Sequence, residues 1–506
     1  MSERTQPVTS AAALAAATIL SASFVAAVLF DLAPWLRGPA PYPPEWQWEY
    51  RQPLAPLPLG ATALVALLLL LLAASGLPAL RRHERAAART LVLAAVVLGL
   101  ALPLALLARE PAGALRTLLA RTTSFSTTSY HTAALSEEAR DPLAFVRRHA
   151  ELLPELARTA KHAATHPVGP VLFFRAAVAA CERWPALTDA LLGLAGVPDR
   201  DFSGPLTRPA RAGALVGALG LGLLAALTAW PLAALAEALG CTPLAAARVA
   251  LLWAALPGPA LIAPRFDAAI ALPIVAGAWL LFEAVRGPRL VVRAALAGGC
   301  GGLAMSLTYG AAAFLALAGL ASGVAALVCP GASRREPGPS RSAGLAVALL
   351  VSAGVSLALA FGLPAIAGGH PIDAMRTALA IHRESYTAGR SYLLWLLFDP
   401  IDFAALLGVP VACLAAATAA SAARDLLRQR PVAPHAVFGL VALAGMAALV
   451  ASGVARGEVG RLWIPLMPLV LVAGAAGLDQ QRAAPATLVG FLAALSTLAI
   501  AAAWRL

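Results

Sequence analysis

The feature that most constrains this chain is a recurring apolar run, thirteen times over, with short charged stretches between the runs. A helix of about 20 apolar residues crosses a bilayer. Hydrocarbon offers no partner to backbone N–H and C=O groups, so such runs must satisfy them internally as helices. The runs lie near 11–30, 59–78, 90–108, 212–236, 246–263, 268–285, 291–307, 310–328, 344–366, 403–423, 435–453, 462–478 and 486–503. The expected fold is therefore all-α: a polytopic transmembrane helical bundle of about 11–13 spans, one integral membrane domain over 1–506, with surface helices in its extracytoplasmic loops. The stretch 291–328, interrupted by GGCGG, reads either as two spans or as one span plus a re-entrant piece. The N-terminal MSERTQPVTS and its apolar run have the outline of a signal peptide, but no cleavage site precedes Asp31, so the run reads as a first span.

Composition excludes the soluble alternative. Hydrophobic residues make up 60% of the chain and charged ones 13%, against about 45–50% and about 25% in ordinary globular proteins. The net charge of +12 sits in short loops, which points to anionic membrane lipid and topology rather than nucleic acid. The five cysteines are far apart and form no CxxC pair, so neither a disulfide framework nor a zinc site is expected.

Arginine sets the expected sidedness. With the N-terminus in the cytoplasm of a multi-pass inner or plasma membrane protein, the cytoplasmic loops hold Arg81, Arg82, Arg85 and Arg89; Arg286, Arg289 and Arg293; Arg334, Arg335 and Arg341; and Arg424, Arg428 and Arg430. Those loops carry arginine and little else. The opposite loops, 31–58, 109–211 and 367–402 among them, mix Asp, Glu, His, Tyr, Trp and Arg. Gripping lipid headgroups needs only positive charge, whereas chemistry needs mixed polar groups, so the reactive face is expected to be extracytoplasmic.

The first outer loop places Asp31 at the mouth of the first span, then Glu45 and Glu49 among Trp46, Trp48 and Tyr50, with Arg51 adjacent. Interfacial aromatics are a common membrane anchor, but the acids need another reason, and a carboxylate there is a general-base candidate. Segment 109–211 is too long for a connector. It carries a polar Ser/Thr stretch with Tyr130. Next comes a helix opened by Asp141-Pro142, whose apolar face suggests that it lies on the membrane surface, with a kink at Pro154. The turn His166-Pro167-Val168-Gly169-Pro170 follows. Arg265-Phe266-Asp267 occupies a very short turn between spans, where an acid is costly unless it meets a cavity or a partner. His370, Arg376, His382, Arg383, Tyr386, Arg390, Tyr392, Asp399 and Asp402 crowd one later loop. In ARGEVGRLW, Glu458 and Arg461 stand three residues apart, as an ion pair could. No P-loop, GxSxG or HExxH occurs. Asp399 and Asp402 form a DxxD, a weak metal signal, so no cofactor is called for and a divalent metal stays open.

These patches together resemble the GT-C class of membrane glycosyltransferases, the group of protein mannosyltransferases and aminoarabinose transferases. The likeness rests on an acid-bearing first outer loop, the Thr165-His166-Pro167-Val168-Gly169-Pro170-Val171-Leu172 turn, the PRFD turn and GEVGRLWIPLMP. Bacterial relatives more often read HPPG, so Val168 departs from the pattern, and no Asp-Glu pair aligns in the first loop. The resemblance implies a polyprenyl-phosphate sugar donor, a lipid, glycan or protein acceptor in the cell envelope, and inverting transfer on the outer face. Asp31 or Glu49 would be the catalytic base. Glu45, Arg51, Tyr130, His166, Asp267, His370, Arg390, Tyr392, Glu458 and Arg461 would bind substrate, with Arg390, Arg456 or Arg461 on the phosphate. The competing expectation is a transporter or flippase for a lipid-linked or small polar substrate, which predicts internal repeats and polar span centres; a non-catalytic scaffold is a third.

Overall fold

The computed structural model describes residues 10–42, 44–53, 58–124, 128–197, 206–328, 340–478 and 482–505. Arg334 and Arg335, named above, and the cysteine at Cys329 lie outside the described residues, as does part of the Ser/Thr-rich stretch. The molecule is an all-helical bundle in which ten helices are long and apolar enough to cross a membrane. Three shorter apolar helices, Leu59–Ala74, Pro243–Ala255 and Ile464–Ala476, fall on the three remaining expected spans. Large apolar side chains such as Leu20, Leu70, Leu93 and Leu350 stay exposed on the bundle's flank. In water that surface would be untenable; against lipid tails it costs nothing.

Two local expectations change. GGCGG does not interrupt its helix, which runs unbroken over Leu290–Leu307. The chain turns instead at Thr308–Gly310 before a second helix, Ala311–Val328. Here glycine serves packing: a Cβ at Gly298 would meet the Ser352 carbonyl oxygen at 2.6 Å, so the neighbouring Arg341–Leu357 helix can approach this closely only because none is there.

The second change concerns segment 109–211. The Asp141 carboxylate caps the Pro142–Thr159 helix by accepting from the amides of Leu143 and Ala144, a bond pattern that contributes about 1 kcal/mol. Pro154 sits inside this helix without ending it. Its apolar face does not lie on the membrane. Phe145, Leu152, Leu153 and Leu156 are buried in the protein core, beneath the Pro371–His382 helix. A helix read as amphipathic by period can bury its stripe in lipid or in protein, and here a later loop supplies the partner. Leu143 is exposed at the start of this helix, and the other large apolar side chains exposed in the segment, Trp184, Leu187 and Leu194, belong to the next hairpin.

One short sheet appears among the described residues. Glu49–Tyr50 pairs antiparallel with Trp504–Arg505, Glu49 opposite Arg505 and Tyr50 opposite Trp504. The Arg51 amide extends the ladder to the Ala503 carbonyl, 2.7 Å away. The first interhelical loop and the end of the Ala484–Ala503 helix therefore share one face of the bundle. The thirteen expected spans would put twelve crossings between these two points, an even number that brings both to one face.

Candidate functional site

That face holds a cavity of about 960 Å³. Its walls come from 37–51, Glu110, Thr117, Arg121, His162, 261–265, Tyr386, Glu458, Arg461 and Arg505. Every one of these lies in a loop or loop border assigned to the arginine-poor side of the chain, or at the chain's end on that side.

The first loop is folded back on itself. Asp31 leaves the Ala11–Leu29 helix in the left-handed region, φ 49°, and its carboxylate accepts two bonds from Arg37, at 3.1 and 3.2 Å. Arg37 also donates to the Trp48 carbonyl at 3.1 Å. Glu45 is buried, accepting from the Ser391 amide at 2.9 Å and Trp395 Nε1 at 2.7 Å. Strand alternation then turns Trp48 inward and Glu49 outward. Glu49 reaches the cavity with its carboxylate 66% exposed, opposite Arg505 at 3.4 Å. Of the two base candidates, Glu49 thus lines the cavity, and Asp31 is held behind it as the anchor of Arg37.

Three further walls complete the enclosure. Glu110 pairs with Arg51 at 3.1 Å. Arg121, from the Ala114–Thr123 helix, donates to the Ala263 carbonyl at 3.0 Å. Burial first, and then the charge on Arg265, pull its pKa below the usual guanidinium value. His162 stacks on Tyr386, ring centroids 5.8 Å apart at 17°. A π-helical turn, Arg383–Thr387, carries Tyr386, and such turns recur at functional sites. Glu458, in the left-handed region at φ 61°, pairs with Arg461 at 2.8 Å and Arg390 at 3.2 Å. All three side chains are nearly inaccessible, at 11–12% exposure. The expected Glu458–Arg461 pair is present, then, with Arg390 as a third member.

His166 is structural in its contacts. Its Nδ1 lies 2.9 Å from the His162 carbonyl, and Tyr130 Oη lies 3.1 Å from Nε2. A carbonyl can only accept, so Nδ1 carries the proton and Nε2 accepts from the tyrosine. Burial holds the imidazole neutral, its pKa pushed down to about 4. Tyr130 packs edge-on to Phe266 at 5.3 Å, which seats the PRFD turn. Asp267 follows in the first turn of the Phe266–Arg286 helix, off the cavity wall.

Of Asp31, Glu49, His166, Asp267 and Arg461, the cavity wall includes only Glu49 and Arg461; Arg51 and Glu458 join them. His370 is exposed at a helix start away from it. Tyr392 donates to the Ala451 carbonyl at 2.7 Å beneath Arg456. Sequence reasoning passed over Glu110, Arg121, His162, Arg37 and Arg505 as cavity residues; nothing in their local pattern marks them, because only tertiary packing brings them to the wall.

The cavity is cationic: six lining arginines face three glutamates. Most are committed. Arg37 holds Asp31, Arg51 holds Glu110, Arg461 holds Glu458 and Arg505 meets Glu49. The phosphate ligands expected from sequence, Arg390, Arg456 and Arg461, are tied to Glu458 or, for Arg456, to the Gly453 and Arg390 carbonyls. Among the described residues, Arg121 and Arg265 have no carboxylate within ion-pair distance, and Arg265 stands close enough to help lower the Arg121 pKa. Arg265 also borders a narrow apolar slot between the Glu84–Leu107 and Arg208–Leu227 helices, lined by Leu100, Pro103, Leu104, Leu221 and Gly222. Ile262, Ala263 and Arg265 are common to slot and cavity. Among the described residues no cluster of three His, Cys, Asp or Glu side chains is placed to hold a metal ion. Comparison with known families, curated proteins and solved structures finds no match to this chain.

Proposed function

We propose that this protein is a membrane glycosyltransferase that moves a sugar from a polyprenyl-phosphate carrier to a cell-envelope acceptor, with inversion, on the extracytoplasmic face. One observation carries the reading: Arg265, where a polar cavity meets an apolar slot between membrane helices, and Arg121 on the same cavity wall have no carboxylate within ion-pair distance among the described residues. A ligand that answers both is an anion on a hydrocarbon tail. Guanidinium suits a phosphate because its planar fork bonds two oxygens at once. In this reading Arg121 and Arg265 hold the lipid phosphate and the tail enters the seam beside Leu100 and Gly222.

Glu49 is the base. The acceptor hydroxyl attacks the anomeric carbon while the C–O bond to phosphate breaks. The hydroxyl proton passes to Glu49, and the freed negative charge stays on the lipid phosphate, between the two guanidiniums. Such a leaving group needs no general acid. The test is transfer by purified protein in nanodiscs, supplied with polyprenyl-phosphate sugars and envelope acceptors. Glu49→Gln should lower kcat by about 10²–10⁴-fold, with Asp31→Asn retaining transfer. Full activity in Glu49→Gln would remove the base assignment. Lipid flux across proteoliposomes without covalent change would replace the enzyme with a carrier of the same lipid.

A further inference from the structure

The Asp399-X-X-Asp402 motif stands outside the cavity wall, and its chemistry is not that of a metal site. Both carboxylates are buried, one turn apart on the Tyr392–Leu407 helix, and backbone or indole N–H groups occupy them. Asp402 Oδ1 accepts from Trp48 Nε1 at 2.9 Å and Oδ2 from the Gly460 amide at 2.8 Å. Asp399 accepts from the Gly457 amide at 3.0 Å. The two aspartates therefore differ: Asp399 touches one loop, whereas Asp402 touches two that are more than 400 residues apart in the chain.

Those two loops are the ones that matter. Trp48 precedes Glu49, and Gly460 precedes Arg461; both followers line the cavity. The contact is close-fitting. A Cβ at Gly460 would meet the Asp402 carbonyl oxygen at 2.6 Å, so glycine is required for that amide to reach the carboxylate. Glu45 adds a second tie from the first loop to the start of the same helix. A hydrogen bond to a buried charged acceptor is among the stronger ones, and one carboxylate that bonds two loops fixes their separation.

We propose that Asp402 is a positioning residue: its two oxygens clamp the Glu49 loop and the Arg461 loop into one unit, setting the distance between the cavity's exposed carboxylate and its opposite, cationic wall. For catalysis this rests on the transferase reading above; the clamp itself does not. A misplacement of about 1 Å between reacting groups can cost about a hundredfold in rate, with less effect on binding a lipid anchored at Arg121 and Arg265.

Hydrogen–deuterium exchange of the full chain in nanodiscs reads the clamp without any activity. Asp402→Ala should speed exchange by about fivefold or more, the worth of one hydrogen bond, in both 44–51 and 456–463. Asp399→Ala should loosen 456–463 alone. Asp402→Asn keeps one acceptor oxygen and turns the other into a donor, so it should loosen one loop only. In transfer assays Asp402→Ala should lower kcat about tenfold or more while KM for the lipid-linked sugar stays within about twofold. Exchange unchanged in either loop of Asp402→Ala overturns the clamp, and a kcat equal to wild type in an active chain overturns its role in positioning for catalysis. If Asp402→Ala does not fold, Trp48→Phe decides: it leaves the carboxylate and removes one bond, and unaltered exchange over 44–51 overturns the proposal. Absence of transfer in every chain, wild type included, defeats the enzyme reading and leaves the exchange result to judge the clamp.

Discussion

Replacing Arg265 or Arg121 by glutamine should produce opposite signs in two measurements. Without ligand, each variant removes one of two like charges on one wall, neither with a carboxylate within ion-pair distance among the described residues. Two like charges about 8–16 Å apart repel by about 1–2 kcal/mol at an effective dielectric constant of about 20. Partial exposure and salt reduce this, so the ligand-free protein should be unchanged to slightly more stable, by up to about 1 kcal/mol. Arg121→Gln should gain less than Arg265→Gln, because Arg121 also bonds the Ala263 carbonyl. With ligand the sign reverses. Each arginine would supply a charge-assisted bond to phosphate, and losing one costs about 1.5–3 kcal/mol, or about 10- to 150-fold in Kd. Farnesyl phosphate titrated into protein in nanodiscs, with farnesol as the uncharged control, measures the second quantity; thermal unfolding without lipid measures the first. Arg461→Gln is the contrast. Arg461 is held by Glu458 and is 12% exposed, so its loss should lower the melting temperature and leave Kd within about threefold. Farnesol binding as tightly as farnesyl phosphate, or an Arg265→Gln variant that binds normally, refutes the anion site.

Three further outcomes follow from the same geometry. Asp31→Asn should cost about 1–3 kcal/mol of stability by leaving Arg37 short of its carboxylate, yet retain farnesyl phosphate binding; a variant as stable as wild type but unable to bind lipid would place Asp31 in the site after all. Gly457→Ala should abolish transfer and reduce yield, because Gly457 sits at φ +84° and a Cβ would come within 2.6 Å of Arg390 Nη1 and 2.9 Å of the Trp395 ring; normal folding and kcat in this variant would contradict the packing. Stability should fall on acidification below pH 6.5. Burial pushes His149 and His166 down to about 4 from 6.5, so the unfolded chain takes up protons that the folded one refuses, and stability present above pH 6.5 is lost as pH drops toward 4. A shift of that size is worth about 3 kcal/mol at most for a fully buried group. His149, whose Nε2 lacks a partner among the described residues, is the cleaner probe: His149→Phe should shrink the acid-side loss in melting temperature, and an unchanged pH slope would sink this assignment.

The membrane fold was legible in the chain because lipid imposes a length rule on every span independently, and all thirteen expected runs correspond to helices. Arginine bias likewise acts locally, loop by loop, and the residues that line the cavity all come from the loops read as poor in arginine. The fate of individual charges was not legible. Glu45 and Glu49 stand four apart in one polar stretch, yet Glu45 turns into a buried bond with Trp395, and Glu49 faces the cavity, because strand pairing begins between them at a partner in the last residues of the chain. The Pro142–Thr159 helix likewise shows its apolar period in sequence and conceals what covers it.

The same limit bears on the arginines that sequence singles out as phosphate ligands. Arg390, Arg456 and Arg461 are conspicuous in sequence because they lie among acids and aromatics, and that company is what neutralises them: an arginine near glutamates in a tight loop tends to pair with them. Arg121 is inconspicuous, placed between Ala120 and Thr122 in a short helix. It reaches Arg265 only because the PRFD turn is seated on Tyr130. In a cavity of mixed charge, ligand affinity belongs to the groups the protein itself leaves unsatisfied, since a committed pair must be broken before it can bind anything. Counting which guanidiniums already have an acid therefore separates structural from available charge, and it is the ground on which we propose the junction of cavity and helix seam, rather than the 456–461 loop, as the anion site. Salt provides an independent check on that proposal. Two available arginines on one wall should make farnesyl phosphate affinity fall as ionic strength rises, whereas buried pairs around Glu458 are screened little; a Kd insensitive to salt would return the site to the committed cluster.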